Sequence, residues 1–215
     1  MMARFASVVL DADSTLSGIE GIDWLAERRS AAVAAESTAL TAAAMDGART
    51  IESVYADRLA RVRPSREMMA ALGAAYIRSV APGAEACIEA LRAAEVRVVV
   101  VSGGLRAALL PLARHLGIPA ADVHAVGIRF DDDGEYAGLD GEQPLATQAG
   151  KPAVVRSLGL RAPVLAVGDG ATDAAMRPEV SAFAAYVGFV RRASVVAQAD
   201  HVLTGFDELR TLVLP

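Results

Sequence analysis

Two acidic residues separated by one residue, Asp11 and Asp13, stand in the run Asp11-Ala12-Asp13-Ser14-Thr15, directly after the apolar residues 5–10. The apolar run is expected to be a short buried strand. Carboxylates at such spacing beyond a strand can both reach one point in front of the sheet, and the carboxyl ends of strands in open α/β sheets are where ligands bind. One carboxylate can then attack a substrate while the other carries protons, the two tasks of a group transfer through a covalent intermediate. The plain alternative is a strand ending in an Asp-rich turn, so the pair gains its weight from the rest of the chain.

Three later segments have the same placement. Residues 98–101, all valine, run into Ser102-Gly103-Gly104. That segment is expected to turn into a helix, where a hydroxyl followed by backbone N–H groups would cradle a phosphate. Residues 164–167 run into Gly168-Asp169-Gly170-Ala171-Thr172-Asp173. Two acids four apart between glycines suit a hard cation such as Mg²⁺, although Asp173 also suits the first turn of a helix. Lys151 is the one lysine among 21 basic residues and follows the loop Gln148-Ala149-Gly150 at an expected helix start. The helix dipole disfavours a cation there, so an anion is expected in front of it, and a compact ammonium is not interchangeable with a guanidinium in a tight anionic site.

Positioning these four segments requires an α/β scaffold. Helices are expected over residues 20–29, 31–44 and 51–62 and from Ser65 onward, with no strand between about residues 16 and 76. Strands then alternate with helices: 96–101, 123–126, 164–167, 182–187 and 201–203, with a closing helix over 206–212. This rhythm predicts a Rossmann-like parallel sheet with helices on both faces and a small helical cap inserted after the first strand. The expected division is a core of residues 1–15 and 77–215 and a cap of residues 16–76. Residues 128–130 and 136–139 flank Asp131-Asp132-Asp133-Gly134 as a hairpin whose triple Asp lacks the rest of a calcium loop.

Composition narrows the partners. A chain of 215 residues with 53% apolar content can bury a substantial core. A net charge of −5 without a basic run argues against nucleic acid. No apolar stretch approaches the ~20 residues of a membrane helix, and no signal peptide is expected because Asp11 interrupts the N-terminal apolar run. Cys87 is the single cysteine, which suits a reducing cytoplasm. The three histidines show no ligand spacing.

The four segments in this order resemble the haloacid dehalogenase-like phosphatases, and among them the phosphoserine phosphatase family. Glu20-Gly21-Ile22-Asp23, Pro64-Ser65-Arg66-Glu67, Gly134-Glu135-Tyr136-Ala137-Gly138 and Gln143-Pro144 are similar to that family as well. The resemblance spans residues 8 to about 178. It implies a Mg²⁺-dependent phosphomonoesterase acting on a small phosphorylated metabolite, O-phosphoserine, in serine biosynthesis. Asp11 would form an aspartyl-phosphate, and Asp13 would protonate the leaving oxygen and then activate water. Ser102, Gly103, Lys151 and Thr172 would hold phosphate. Mg²⁺ would lie on the Asp11 carboxylate, the Asp13 main-chain carbonyl and Asp169, with Asp173 in support. In the cap, Glu20 and Arg58 would bind the amino and carboxyl groups of serine, with Met45 lining the pocket.

Two departures bear on substrate choice: Asp46 stands beside Met45 where glycine is expected, and residues 183–192 replace a glycine-rich stretch carrying Asn. The alternatives are a phosphatase or phosphotransferase acting on another small metabolite, dehalogenation, which Asp13 disfavours, and a catalytically silent binding module. Oligomeric state is not legible in the sequence.

Overall fold

The computed structural model describes residues 3–45 and 50–214, without the side chains of residues 42–45 and 51. The chain enters through β1 (Ser7–Leu10), which is buried along its whole length. The one polar residue in it, Ser7, satisfies its hydroxyl by donating to the Arg161 carbonyl at 2.9 Å. Four helices follow: α1 (Gly21–Arg29), α2 (Ala31–Met45), α3 (Ile51–Val62) and α4 (Arg66–Arg78). Thr50 and Ser65 start α3 and α4 by accepting from the amides of Ser53 and Met68, the capping that their short hydroxyl side chains favour. Then come α5 (Ala84–Ala93), β2 (Arg97–Leu105), α6 (Arg106–His115), β3 (Val123–Val126), and the hairpin β4 (Ile128–Phe130) and β5 (Tyr136–Leu139). The chain closes with α7 (Gly150–Ser157), β6 (Val164–Gly168), α8 (Ala171–Ala174), β7 (Ala182–Tyr186), α9 (Ala193–Val196), β8 (His201–Leu203) and α10 (Phe206–Val213).

Six strands form one sheet in the order β3-β2-β1-β6-β7-β8, every pairing parallel. The residues of β1, β6 and β7 are all buried, the mark of a sheet covered on both faces. The helices after β1 form the expected cap-like insertion. From β1 the chain builds outward through β2 to β3, and from β6 it builds the other way through β7 to β8. The order therefore reverses between β1 and β6, where open α/β sheets bind ligands. Leu10 pairs with both Val100 and Val167, so the residues after β1 and after β6 emerge side by side.

One expectation is corrected. Ser102-Gly103-Gly104 does not open a helix: it lies inside β2, and α6 begins at Arg106. The Ser102 hydroxyl accepts from the Gly104 amide at 3.0 Å, which uses locally a donor that a helix N-terminus would have presented outward. The register against β3 shifts between Val101 and Leu105, so this segment is irregular strand. The triple-Asp hairpin is a turn, with Asp131 accepting from the Glu135 amide at 2.8 Å. Among the described residues no helix is long and apolar enough to cross a membrane.

Candidate active site

The loop after β1 is shaped by its own backbone. The amides of Thr15 and Ser17 both donate to the Ala12 carbonyl, and Ser14 takes a left-handed φ of 50°, uncommon for a residue with a Cβ. Ser14 then donates to Glu20 Oε1 at 2.6 Å, tying the start of α1 to the loop. Asp11 is buried, and Asp13 is held at both oxygens: Gly21 N donates to Oδ2 at 3.1 Å and the Tyr76 hydroxyl to Oδ1 at 2.5 Å.

Lys151, in the first turn of α7, lies between two buried carboxylates. Its Nζ is 2.8 Å from Asp11 Oδ1 and 2.6 Å from Asp173 Oδ1. These are the anions that its position against the helix dipole called for. Burial alone would lower the ammonium's pKa, but Asp11 and Asp173 outweigh it and keep Lys151 charged. The contact to Asp173 is a hydrogen bond. The contact to Asp11 is close enough for an ion pair but misdirected for a hydrogen bond, so Asp11 Oδ1 is a buried oxygen without an aligned donor. Asp173 reaches this place because Gly168 has no side chain: a Cβ there would sit 2.2 Å from Asp173 Cγ.

Asp11, Asp169 and Asp173 each place a carboxylate oxygen within 4.8 Å of the others. Thr15 donates to Asp169 Oδ1 at 3.2 Å, and the Arg192 guanidinium bonds Asp169 Oδ2 closely. The surrounding cavity of about 220 Å³ is lined by five acids, Asp11, Asp13, Glu20, Asp169 and Asp173, against two cations, Lys151 and Arg192. Its size suits a metabolite, below the roughly 300–1,000 Å³ of drug-sized sites. Burial first, and then the surplus of negative charge, act on its acids. Asp13 is pushed up to about 7, first by burial and then by Glu20 and Asp11. Asp173 is pushed up to about 7 by burial and by Asp11, with Lys151 opposing. Glu20 keeps 48% of its side-chain surface accessible, yet protein crowding on the cavity side still raises it. A buried carboxylate oxygen without an aligned hydrogen-bond donor, hard oxygen donors and excess negative charge together fit a divalent cation.

The protein-family model for haloacid dehalogenase-like hydrolases matches residues 8–178. The chain belongs to this family. It is 36% identical to the phosphoserine phosphatase of Mus musculus over 206 residues, 94% of this chain and 91% of that protein. Among solved structures, a phosphoserine phosphohydrolase-like protein from Francisella tularensis superposes with a TM-score of 0.85 at 24% identity, over 97% of this chain and 99% of that one. A phosphoserine phosphatase solved as an analogue of its phospho-aspartyl intermediate gives 0.78 at 25% identity, over 97% and 98%.

On this haloacid dehalogenase-like frame the structure gathers most of the residues singled out in the sequence. Asp11, Asp13, Glu20, Ser102, Gly103, Lys151, Asp169, Thr172 and Asp173 all line the cavity. Arg58 does not line it. Its Nε donates to Ser37 Oγ at 2.8 Å and its Nη2 is bonded to Asp23 Oδ1, which ties α1, α2 and α3 together. The side chain of Met45 and all of Asp46 lie outside the described residues. Four residues of the site went unassigned in the sequence. Thr15 and Arg192 hold Asp169, Tyr76 holds Asp13, and the Tyr55 hydroxyl donates to the Gly103 carbonyl at 2.7 Å from the cavity wall. Arg192 lies in the unusual stretch 183–192, which was the available signal for it. No local pattern pointed to the tyrosines, because their partners lie 48 and 63 residues away in the chain.

Replacing Lys151 by Met should leave Asp11 and Asp173 buried without their cation. Urea unfolding of the metal-free variant should show a loss of about 3–5 kcal/mol, the usual cost of removing one partner of a buried pair. Unchanged stability would mean that the two carboxylates are protonated or solvated rather than paired.

Proposed function

We propose that the chain hydrolyses O-phosphoserine to serine and phosphate in a Mg²⁺-dependent reaction through an aspartyl-phosphate on Asp11. The observation that supports this most is the grouping of a nucleophilic carboxylate, a second carboxylate two residues on, a buried ammonium and a three-carboxylate cluster around one metabolite-sized cavity. The substrate is carried over from the phosphoserine phosphatases to which the chain is similar along nearly its whole length.

In this reading an Asp11 oxygen attacks phosphorus, the bond from phosphorus to the serine oxygen breaks, and Asp13 delivers a proton to that oxygen. Water then attacks phosphorus, gives a proton to Asp13, and the bond to Asp11 breaks, which restores the Asp11 carboxylate and the protonated Asp13. Ser102, Gly103, Thr172 and Lys151 hold the phosphoryl oxygens. Phosphoryl transfer depends chiefly on such positioning and on charge neutralisation. Mg²⁺ would be held by the Asp11 carboxylate, the Asp13 carbonyl, Asp169 and Asp173, and it supplies positive charge to the transferring phosphoryl group. Arg192 would hold Asp169 in place beside that set through its bond to Oδ2. Glu20, a half-exposed lining residue of the cavity, would receive the substrate ammonium, and Arg58 and Met45 remain the proposed cap contacts. We further propose residues 16–76 as the cap, residues 1–15 and 77–215 as the core, and the cytoplasm as the site of action.

Phosphate release should be screened over phospho-amino acids, sugar phosphates and nucleotides. The reading expects phosphoserine to lead, activity to vanish in chelator, and Asp11→Asn to be inactive, since an amide is a far poorer nucleophile. A sugar phosphate or nucleotide in first place would overturn the substrate, and full activity without metal would overturn the mechanism.

Arg58 permits a sharper check. If it leaves Asp23 to grip the substrate carboxylate, Arg58→Ala should lose about 2–4 kcal/mol in kcat/KM on phosphoserine and almost nothing on an aryl phosphate that has no carboxylate. Equal losses on both would assign Arg58 to holding the cap helices together.

A further inference from the structure

We propose that Tyr76 is a positioning residue for Asp13, fixing the carboxylate oxygen that faces the phosphate-binding segment. This rests on the reading of Asp13 as the group that protonates the leaving oxygen. Tyr76 is fully buried on α4, far from Asp13 in sequence, and a buried phenol needs a partner for its hydroxyl. It donates to Asp13 Oδ1 at 2.5 Å.

Two further observations give this contact a direction. A Cβ built on Gly104 would lie 3.6 Å from the same Asp13 Oδ1, so this oxygen is the one turned toward Ser102–Gly104. The other oxygen, Oδ2, is held by the Gly21 amide at 3.1 Å. The carboxylate is therefore fixed at both ends and cannot swing about its side-chain torsion. Approach of the phenol also depends on Gly21, where a Cβ would come 2.3 Å from the Tyr76 hydroxyl. Each carboxylate oxygen has a second lone pair, so Oδ1 can bond Tyr76 and still carry the transferred proton. Proton transfer requires heavy atoms about 2.6–3.2 Å apart, and a carboxylate free to rotate would spend much of its time outside that range.

Leaving-group dependence separates positioning from simple core packing. A serine alkoxide needs the proton, whereas the phenolate of an aryl phosphate leaves without it. We expect Tyr76→Phe, which keeps the ring, to lower kcat/KM on phosphoserine by roughly 10–100-fold, part of the ~10²–10⁴ that a positioned acid contributes. On p-nitrophenyl phosphate the loss should stay below about threefold. Gly21→Ala, which keeps the hydroxyl but pushes it from Asp13, should give the same pattern. Asp13→Asn, measured alongside, should show a larger loss with the same substrate bias. If Asp13→Asn is biased and Tyr76→Phe lowers both substrates equally or neither, the positioning role is wrong. If Asp13→Asn shows no bias, the acid assignment fails and the proposal fails with it. Should Tyr76→Phe fold poorly, Gly21→Ala decides by the same ratio of the two substrates.

Discussion

Three carboxylates held within 4.8 Å of one another repel strongly in a protein interior. At an effective dielectric constant of about 20, each pair at that distance costs about 3–4 kcal/mol, and three pairs together rival the 5–15 kcal/mol by which a domain of ordinary stability stays folded. The surroundings of Asp11, Asp169 and Asp173 follow from that repulsion. Lys151 stands at a helix start where the dipole opposes it, because Asp11 and Asp173 lie on either side. Arg192 turns its guanidinium onto Asp169. Gly168 gives up its side chain so that Asp173 can fold back within reach of Lys151. Even so, the carboxylates of the cavity outnumber its cations, which disfavours a dianionic phosphate ester unless further positive charge is supplied. The same imbalance that strains the site makes it a place for a divalent cation.

The sheet and the cap bring these charges together by different means. Parallel pairing of β1 with β2 and β6 sets Asp11, Ser102 and Asp169 along one edge, so the catalytic side of the cavity is fixed by the most buried part of the fold. The helical side packs onto the core through α4 against α6, where Gly73 lets the backbones approach and a Cβ would lie 3.1 Å from the Ala108 carbonyl oxygen. It meets the cavity through polar contacts: Ser14 to Glu20, Gly21 and Tyr76 to Asp13, and Tyr55 to Gly103. A second tie, from the Gln148 amide to Glu52 at 3.0 Å, joins α3 to the loop that precedes Lys151. Most of these contacts end on residues proposed to do chemistry.

The sequence announced the sheet because its central strands are buried on both faces and so read as unbroken apolar runs, while the helices announced themselves through capping residues such as Thr50 and Ser65. Asp11, Asp13, Asp169 and Asp173 were legible because they follow such runs as polar residues that packing does not explain, and Lys151 because it is the one lysine of the chain and stands where the helix dipole opposes it. The course of Ser102–Gly104 was misread, since a glycine pair after a strand fits a helix start as well as an irregular strand, and the deciding bond from Gly104 to Ser102 is a matter of geometry. Arg58 was placed by resemblance to a family; its bond to Asp23 depends on how three helices pack, which spacing along one helix does not encode. Tyr55 and Tyr76 were invisible for the same reason, as each acts across an interface between elements distant in sequence.

The central claim is that Asp11 is the residue that carries the phosphoryl group. Rapid acid quench after mixing the Mg²⁺-loaded enzyme with ³²P-labelled phosphoserine tests it most directly, followed by digestion and mapping of the label. The account predicts an acid-stable, hydroxylamine-labile label confined to the peptide that contains Asp11, appearing before free phosphate reaches its steady rate. Phosphate release with no labelled protein at any quench time, or label on a peptide without Asp11, would contradict it.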